Sequence, residues 1–214
     1  MLNYVKNYIL KSNLFWRYRQ IIHKDVWLTY FDSYNVERRN FYSNYVNKHN
    51  CRSIFEFGCA SGPNLKNIQS RVQFETFYFG FDINNAAIKL AKKKFNVQTS
   101  FFSNILTLKK IEGQLLSWKS STFDLSIYDR VLYLLNESEV SAHFSKYGIF
   151  FKTVIIDDFH NSEFLDHNDA YFSKDYQKIL LRFGFKMVQN EPSEHIISGP
   201  FCERSSRRLV FNKI

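Results

Sequence analysis

The chain has 214 residues, 45% of them hydrophobic, a formal net charge of +9 and three cysteines. That length and apolar content allow one soluble domain with a full core and an N-terminal extension. No window approaches the apolar length of a membrane span, and the start Met1-Leu2-Asn3-Tyr4-Val5-Lys6-Asn7 lacks the charged-then-apolar layout of a signal peptide. Cys51, Cys59 and Cys202 cannot all pair and show no zinc spacing, so reduced thiols, no membrane partner and a cytoplasmic location are expected.

Residues 1–49 are rich in aromatic and basic side chains without strand alternation, so two or three helices are expected there. Such aromatic helices would close a pocket or serve a homodimer. Ser53-Ile54-Phe55 is an apolar run suited to a buried strand at 53–57. Pro63 is comfortable at a first helical position, and Leu65, Ile68 and Val72 then share one face, giving a helix over 63–71. Further strands are predicted near 77–82, 97–102, 123–128, 152–157, 185–190 and 207–213, and helices over 84–94, 137–147 and 168–183. The alternation is that of βαβ units around a parallel sheet. The basic groups Lys92-Lys93-Lys94 and Arg204 to Arg208 read as solvated faces, so a nucleic-acid partner is not expected.

The chemistry concentrates in the turn after the first strand, Glu56-Phe57-Gly58-Cys59-Ala60-Ser61-Gly62, and in Asp82 at the end of the second. Gly58 and Gly62 permit positive φ and a close backbone approach to a ligand. A carboxylate at Asp82 is placed to accept both hydrogen bonds of a ribose diol. The turn lacks the Gly-Lys-Ser/Thr of a phosphate-cradling loop, and Glu56 would repel a pyrophosphate while suiting a cationic cofactor.

In these residues the chain resembles the class I S-adenosylmethionine-dependent methyltransferases that act on small molecules. Glu56 to Gly62 resembles the family's acidic-x-Gly-x-Gly-x-Gly motif, with Ala60 at the middle glycine, and Asp82 resembles its ribose-binding acid. Phe123-Asp124-Leu125-Ser126-Ile127-Tyr128 resembles the fourth strand, and Val131-Leu132-Tyr133-Leu134-Leu135 the segment after it. The resemblance implies an α/β, Rossmann-like, seven-stranded, mostly parallel sheet with an antiparallel C-terminal edge over 50–214, and a helical pocket cover over 1–49. It implies S-adenosyl-L-methionine as cofactor, with Glu56, Gly58, Ala60, Gly62, Asp82 and Ile83 around it. Ser103 and Asn104 would meet the adenine edge, unless they form a plain turn, and Tyr30 is the candidate contact from the N-terminal segment.

On the substrate side, Tyr128-Asp129-Arg130 ends the fourth strand, where ligands bind in open α/β sheets. Asp129 is a candidate to receive a proton, Arg130 to hold an anionic group, and Tyr133 to line the acceptor pocket; a local ion pair between Asp129 and Arg130 is the alternative. His160 is the candidate base, with His23 a further histidine to consider. Asp129, Asp157 and Asp158 resemble in position the three ligands of magnesium-dependent catechol-type O-methyltransferases, an alternative in which the cation lowers a hydroxyl's pKa. The leading function is methyl transfer to an oxygen or nitrogen of a small molecule such as a sugar or secondary metabolite. The further alternatives are a nucleic-acid methyltransferase, although Asp/Asn-Pro-Pro-Tyr is absent after strand four, and a non-enzymatic module on the same fold.

Overall fold

In the computed structural model, which describes residues 25–160, 174–193 and 206–214, the short apolar runs form one seven-stranded sheet with helices on both faces. The strands are β1 (Ser53–Phe57), β2 (Phe77–Phe81), β3 (Ser100–Ser103), β4 (Phe123–Asp129), β5 (Phe151–Phe159), β6 (Phe185–Pro192) and β7 (Ser206–Lys213). Their spatial order is β3-β2-β1-β4-β5-β7-β6. Strands β1 to β5 pair in parallel, whereas β7 runs antiparallel to both β5 and β6. The chain order reverses between β1 and β4, so the carboxyl ends of these two strands open the crevice in which such sheets bind ligands.

The helices are α1 (Val26–Asp32), α2 (Glu37–His49), α3 (Pro63–Arg71), α4 (Asn85–Lys94), α5 (Leu108–Ser117), α6 (Glu137–Tyr147) and α7 (Tyr176–Leu181). Alternating side chains of the strands feed two cores. Ile54, Tyr78, Ile155 and Val210 pack with Tyr42, Val46, Leu65, Ile68 and Ile88 of α2, α3 and α4. Phe55, Phe79, Ile156, Leu209 and Phe211 pack with Ile111, Leu115, Phe144 and Ile179 of α5, α6 and α7. Much of the second core is phenylalanine, with ring centroids 5.0 Å apart for Phe55 and Phe151 and 5.7 Å for Phe55 and Phe79. Among the described residues no helix is long and apolar enough to cross a membrane.

Several elements depart from the sequence reading. No helix was expected between the third and fourth strands, yet α5 forms there, capped by the Thr107 hydroxyl accepting from the Lys110 amide. Only Ile111 and Leu115 of this helix are buried, so its apolar stripe is thin and Gly113 interrupts it. Strand β3 starts at Ser100 instead of 97, because the Asn96 side chain accepts from the Gln98 amide at 2.9 Å and holds a turn there. Of the expected helix 168–183, Tyr176–Leu181 is helical, while 168–173 lies outside the described residues. Cys51 and Cys59 are buried free thiols; Cys202 and residues 1–24, with His23, lie outside the described residues.

Gly80 lies in the middle of the sheet against the turn that follows β1. A Cβ there would stand 2.8 Å from Cys59 Sγ and 2.8 Å from the Phe102 ring. The bare backbone of β2 therefore makes the room that the turn occupies.

Candidate active site

The turn after β1 is clipped to the end of β2, since the Phe81 carbonyl accepts from the amides of Gly58 at 2.7 Å and Cys59 at 2.9 Å. Within it Gly58, Ala60 and Gly62 take φ of 78, 47 and 84°. A side chain on Gly58 would put Cβ 2.6 Å from a Val131 methyl, so glycine is required there on two counts. Ala60 adopts the left-handed conformation at a cost of about 1 kcal/mol. Pro63 opens α3, and the Ser61 hydroxyl donates to the Trp27 carbonyl at 2.7 Å, tying α1 to the turn.

Beside this turn stands Asp82. One of its carboxylate oxygens accepts from the Ala60 amide at 2.9 Å and the other from the Asn84 amide at 2.8 Å. An ionised carboxylate offers about four acceptor positions, so each oxygen keeps one for a ligand. Burial pushes this carboxyl up to about 6, against the pull of the two amides.

The turn, the end of β4 and helices α1 and α2 enclose a cavity of about 410 Å³, within the size range of small-molecule sites. Of its lining residues, Gly58, Ala60, Asp82 and Ile83 come from the turn and the end of β2, Arg38 from α2, and Asp129, Arg130, Val131, Tyr133 and Leu135 from the end of β4 and the segment after it; Glu56 of β1 lies between the two sets, and Trp27 and Tyr30 contribute from α1.

Two buried carboxylates share one amide at the floor. Asn64 Nδ2 donates to Glu56 Oε1 at 2.8 Å and to Asp129 Oδ2 at 3.0 Å. Glu56 also accepts from the Tyr78 hydroxyl, and burial pushes its carboxyl up to about 7. Asp129 goes the other way. Burial alone would raise it, but the guanidinium groups of Arg38 at 2.5 Å and Arg39 at 3.2 Å hold it well below the usual carboxylate range. The two guanidinium groups thus hold Asp129 as an anion.

The raised Glu56 carboxyl has a measurable consequence. Its folded-state pKa exceeds the unfolded value, so its contribution to stability is complete below the unfolded pKa and is lost as pH rises through about 7. The ligand-free protein is expected to melt a few degrees lower at about pH 8 than at about pH 6, and Glu56→Gln should shrink that difference. Asp158, also pushed up to about 7 by burial, leaves a residual difference of the same sign. Thermal unfolding at the two pH values checks this; an unchanged difference in the variant refutes it.

Of the residues singled out in the sequence, Tyr30, Glu56, Gly58, Ala60, Asp82, Ile83, Asp129, Arg130 and Tyr133 line this one cavity. Gly62 does not, although its left-handed backbone starts α3. Ser103 and Asn104 are not brought there either: the Ser103 hydroxyl is spent in a turn, donating to the Ile105 carbonyl at 2.7 Å and accepting from Lys110 at 2.9 Å, and Asn104 is exposed. His160 is not on the cavity lining either, and its Nδ1 lies 3.0 Å from the Lys174 carbonyl.

The three aspartates of the magnesium reading do not converge. Asp157 accepts from the Ser193 hydroxyl at 2.7 Å and pairs with Arg208 at 3.1 Å. Asp158 accepts from the amides of Tyr133 at 3.0 Å and Phe159 at 2.7 Å, while Asp129 belongs to its two arginines. Among the described residues no group of three His, Cys, Asp or Glu is placed to hold a metal ion. The sequence reading missed Arg38, Arg39 and the role of Asn64. Arginine is rarely buried, so Arg38-Arg39 in a basic segment looks like a solvated pair, and only the fold shows its partners.

A family model described as a methyltransferase domain matches residues 48–191. Among solved structures, the chain is similar to magnesium protoporphyrin IX methyltransferase from Synechocystis PCC 6803 with bound S-adenosylhomocysteine, at 16% identity and a TM-score of 0.61, covering 98% of this chain and 99% of that one. It is also similar to the Burkholderia thailandensis 1,6-didemethyltoxoflavin-N1-methyltransferase with bound 1,6-didemethyltoxoflavin and S-adenosylhomocysteine, at 12% identity and a TM-score of 0.63, covering 99% and 90%. The plantazolicin methyltransferase BpumL, in complex with S-adenosylhomocysteine, is 13% identical with a TM-score of 0.60, covering 99% and 96%. No curated protein matches the sequence.

Proposed function

The chain belongs to the methyltransferase domain family, and from that premise we propose that it transfers the methyl group of S-adenosyl-L-methionine to an oxygen or nitrogen of a small molecule. The observation that carries the reading is the half-buried Asp82 carboxylate, which keeps acceptor positions for a ligand beside a left-handed glycine turn on the lining of the cavity.

The residues present fit this cofactor. The Asp82 oxygens suit a ribose diol, and Ile83, next to it on the lining, offers an apolar face to adenine. Glu56 and Asp82 put negative charge near the turn, which favours a cationic ligand. When bound, the cofactor supplies a methyl carbon already activated by a sulfonium.

The work left to the chain is alignment and exclusion of water. Val131, Leu134, Leu135 and Tyr133 give the acceptor an apolar wall, and Trp27 and Tyr30 cover the cavity from α1. This supports reading the described part of residues 1–49, from Asp25 on, as a pocket cover ahead of the domain at 50–214. Asp129 fixes the acceptor end electrostatically through Arg38 and Arg39 and takes no proton. A small-molecule acceptor is favoured by the cavity's enclosure and by solved neighbours named for a porphyrin and a toxoflavin precursor.

Isothermal titration of the purified protein with S-adenosylhomocysteine tests the reading. Saturable binding of one equivalent at micromolar strength is expected. Absence of binding overturns it and leaves a non-enzymatic module on the methyltransferase fold.

A further inference from the structure

Arg38 and Arg39 are neighbours in sequence and share one carboxylate, but their surroundings differ. Arg39 is spent: its guanidinium donates to the Ser33 carbonyl at 3.1 Å, to the Ser33 hydroxyl at 3.3 Å, to Asn64 and to Asp129 at 3.2 Å, and it is 3% exposed. The Arg38 side chain is 12% exposed and lines the cavity, yet a single N–H, on Nη1, has a partner among the described residues, Asp129 Oδ1 at 2.5 Å. A guanidinium carries five N–H donors in a planar fork that matches an oxyanion. Four of the Arg38 donors are thus left at the wall of the cavity.

Charge points the same way. Asp129 is one anion between the two guanidinium groups of Arg38 and Arg39, so this trio retains a positive charge. The carboxylate of the neighbouring strand, Asp157, is already matched by Arg208 at 3.1 Å. The cluster also sits at the end of β4. Arg39 feels the charge of Glu56 at the glycine turn, whereas Arg38 feels that of Asp157 on β5, on the far side of β4 from the turn. Val36, Val131, Leu134 and Leu135 supply the apolar remainder of that wall.

We propose that Arg38 is a specificity residue that recognises an anionic oxyacid group, a carboxylate or a phosphate, on an otherwise apolar acceptor. The proposal rests on the methyltransferase reading and narrows its substrate class. The fork donates to the acid while Asp129, held in addition by Arg39 and Asn64, keeps the guanidinium in place.

The test is calorimetric titration of the protein saturated with S-adenosylhomocysteine, using 4-hydroxybenzoate, phenyl phosphate and the neutral 4-hydroxybenzamide as probes. One of the two acids is expected to bind at least about tenfold more tightly than the amide, and which one distinguishes carboxylate from phosphate. Arg38→Met should abolish the preference and Arg38→Lys restore part of it, with S-adenosylhomocysteine affinity changed by less than about twofold in either variant. The inference is overturned if neither acid binds, if the amide binds as well as both acids, or if the preference survives Arg38→Met. It is overturned too if Arg38→Met costs cofactor affinity, for the guanidinium would then serve the cofactor's own carboxylate. Failure of S-adenosylhomocysteine to bind the wild-type protein brings down the methyltransferase reading itself, which separates the two failures.

Discussion

Asp129→Ala is expected to destabilise the protein by about 3–5 kcal/mol, because it strands two guanidinium groups that are almost out of solvent. The carboxylate is 6% exposed, Arg39 3% and Arg38 12%, so water does little to replace the lost partner. Asn64 loses an acceptor at the same time. Asp129→Asn, which keeps a neutral acceptor of the same shape, should cost less, and the gap between the two variants measures the part that belongs to charge. The pH dependence has a definite sign. A carboxyl held below its unfolded pKa contributes stability that is present above the unfolded value and lost as pH falls through the folded one. The full penalty should therefore be seen across the neutral range and fade only in strong acid. Urea unfolding at neutral pH checks this; a penalty below about 1 kcal/mol for Asp129→Ala, the range of a solvent-exposed pair, refutes the buried network.

The second large effect is on the cofactor. Asp82→Ala should weaken S-adenosylhomocysteine binding by about 10- to 100-fold, the loss of one hydrogen bond to a charged acceptor at about 1.5–3 kcal/mol. The variant also leaves the Ala60 and Asn84 amides without their acceptor, so a modest loss of stability is expected alongside. Asp82→Asn separates the two effects, since it retains a carbonyl oxygen but loses the charge and the second acceptor. Because burial pushes the Asp82 carboxyl up to about 6, wild-type affinity should itself decline as pH falls through that value. Near-normal affinity in Asp82→Ala, measured by isothermal titration, removes the ribose assignment.

What could be read from the chain alone was what depends on neighbours in sequence. Pro63 after Gly62 gives the start of α3, and the apolar run before Glu56 gives β1, because backbone conformation and burial pattern decide both. That Gly58, Ala60 and Asp82 come together was legible for the same reason: they belong to one turn and one strand end. The surroundings of Asp129 were not. Whether Asp129 is a base, a metal ligand or a fixed anion depends on Arg38, 91 residues earlier in the chain, folding back over it. Asp157 and Asp158 likewise read as a ligand pair until Arg208, Ser193 and two backbone amides are seen to claim them. Helix α5 escaped because only Ile111 and Leu115 of it are buried, too thin a stripe to recognise by period.

The close fit of Gly80 beneath the glycine turn ties two positions that stand 21 places apart in the numbering, 80 and 59. Even one added methyl at 80 would meet both the sulfur at 59 and the ring at 102, so a larger residue on the strand calls for room at both. In any lineage descended from this chain positions 59, 80 and 102 would be inherited as one character, with a gain at 80 answered by losses at the other two. An engineer who wishes to reshape the turn would then begin on β2, outside the motif that names the family.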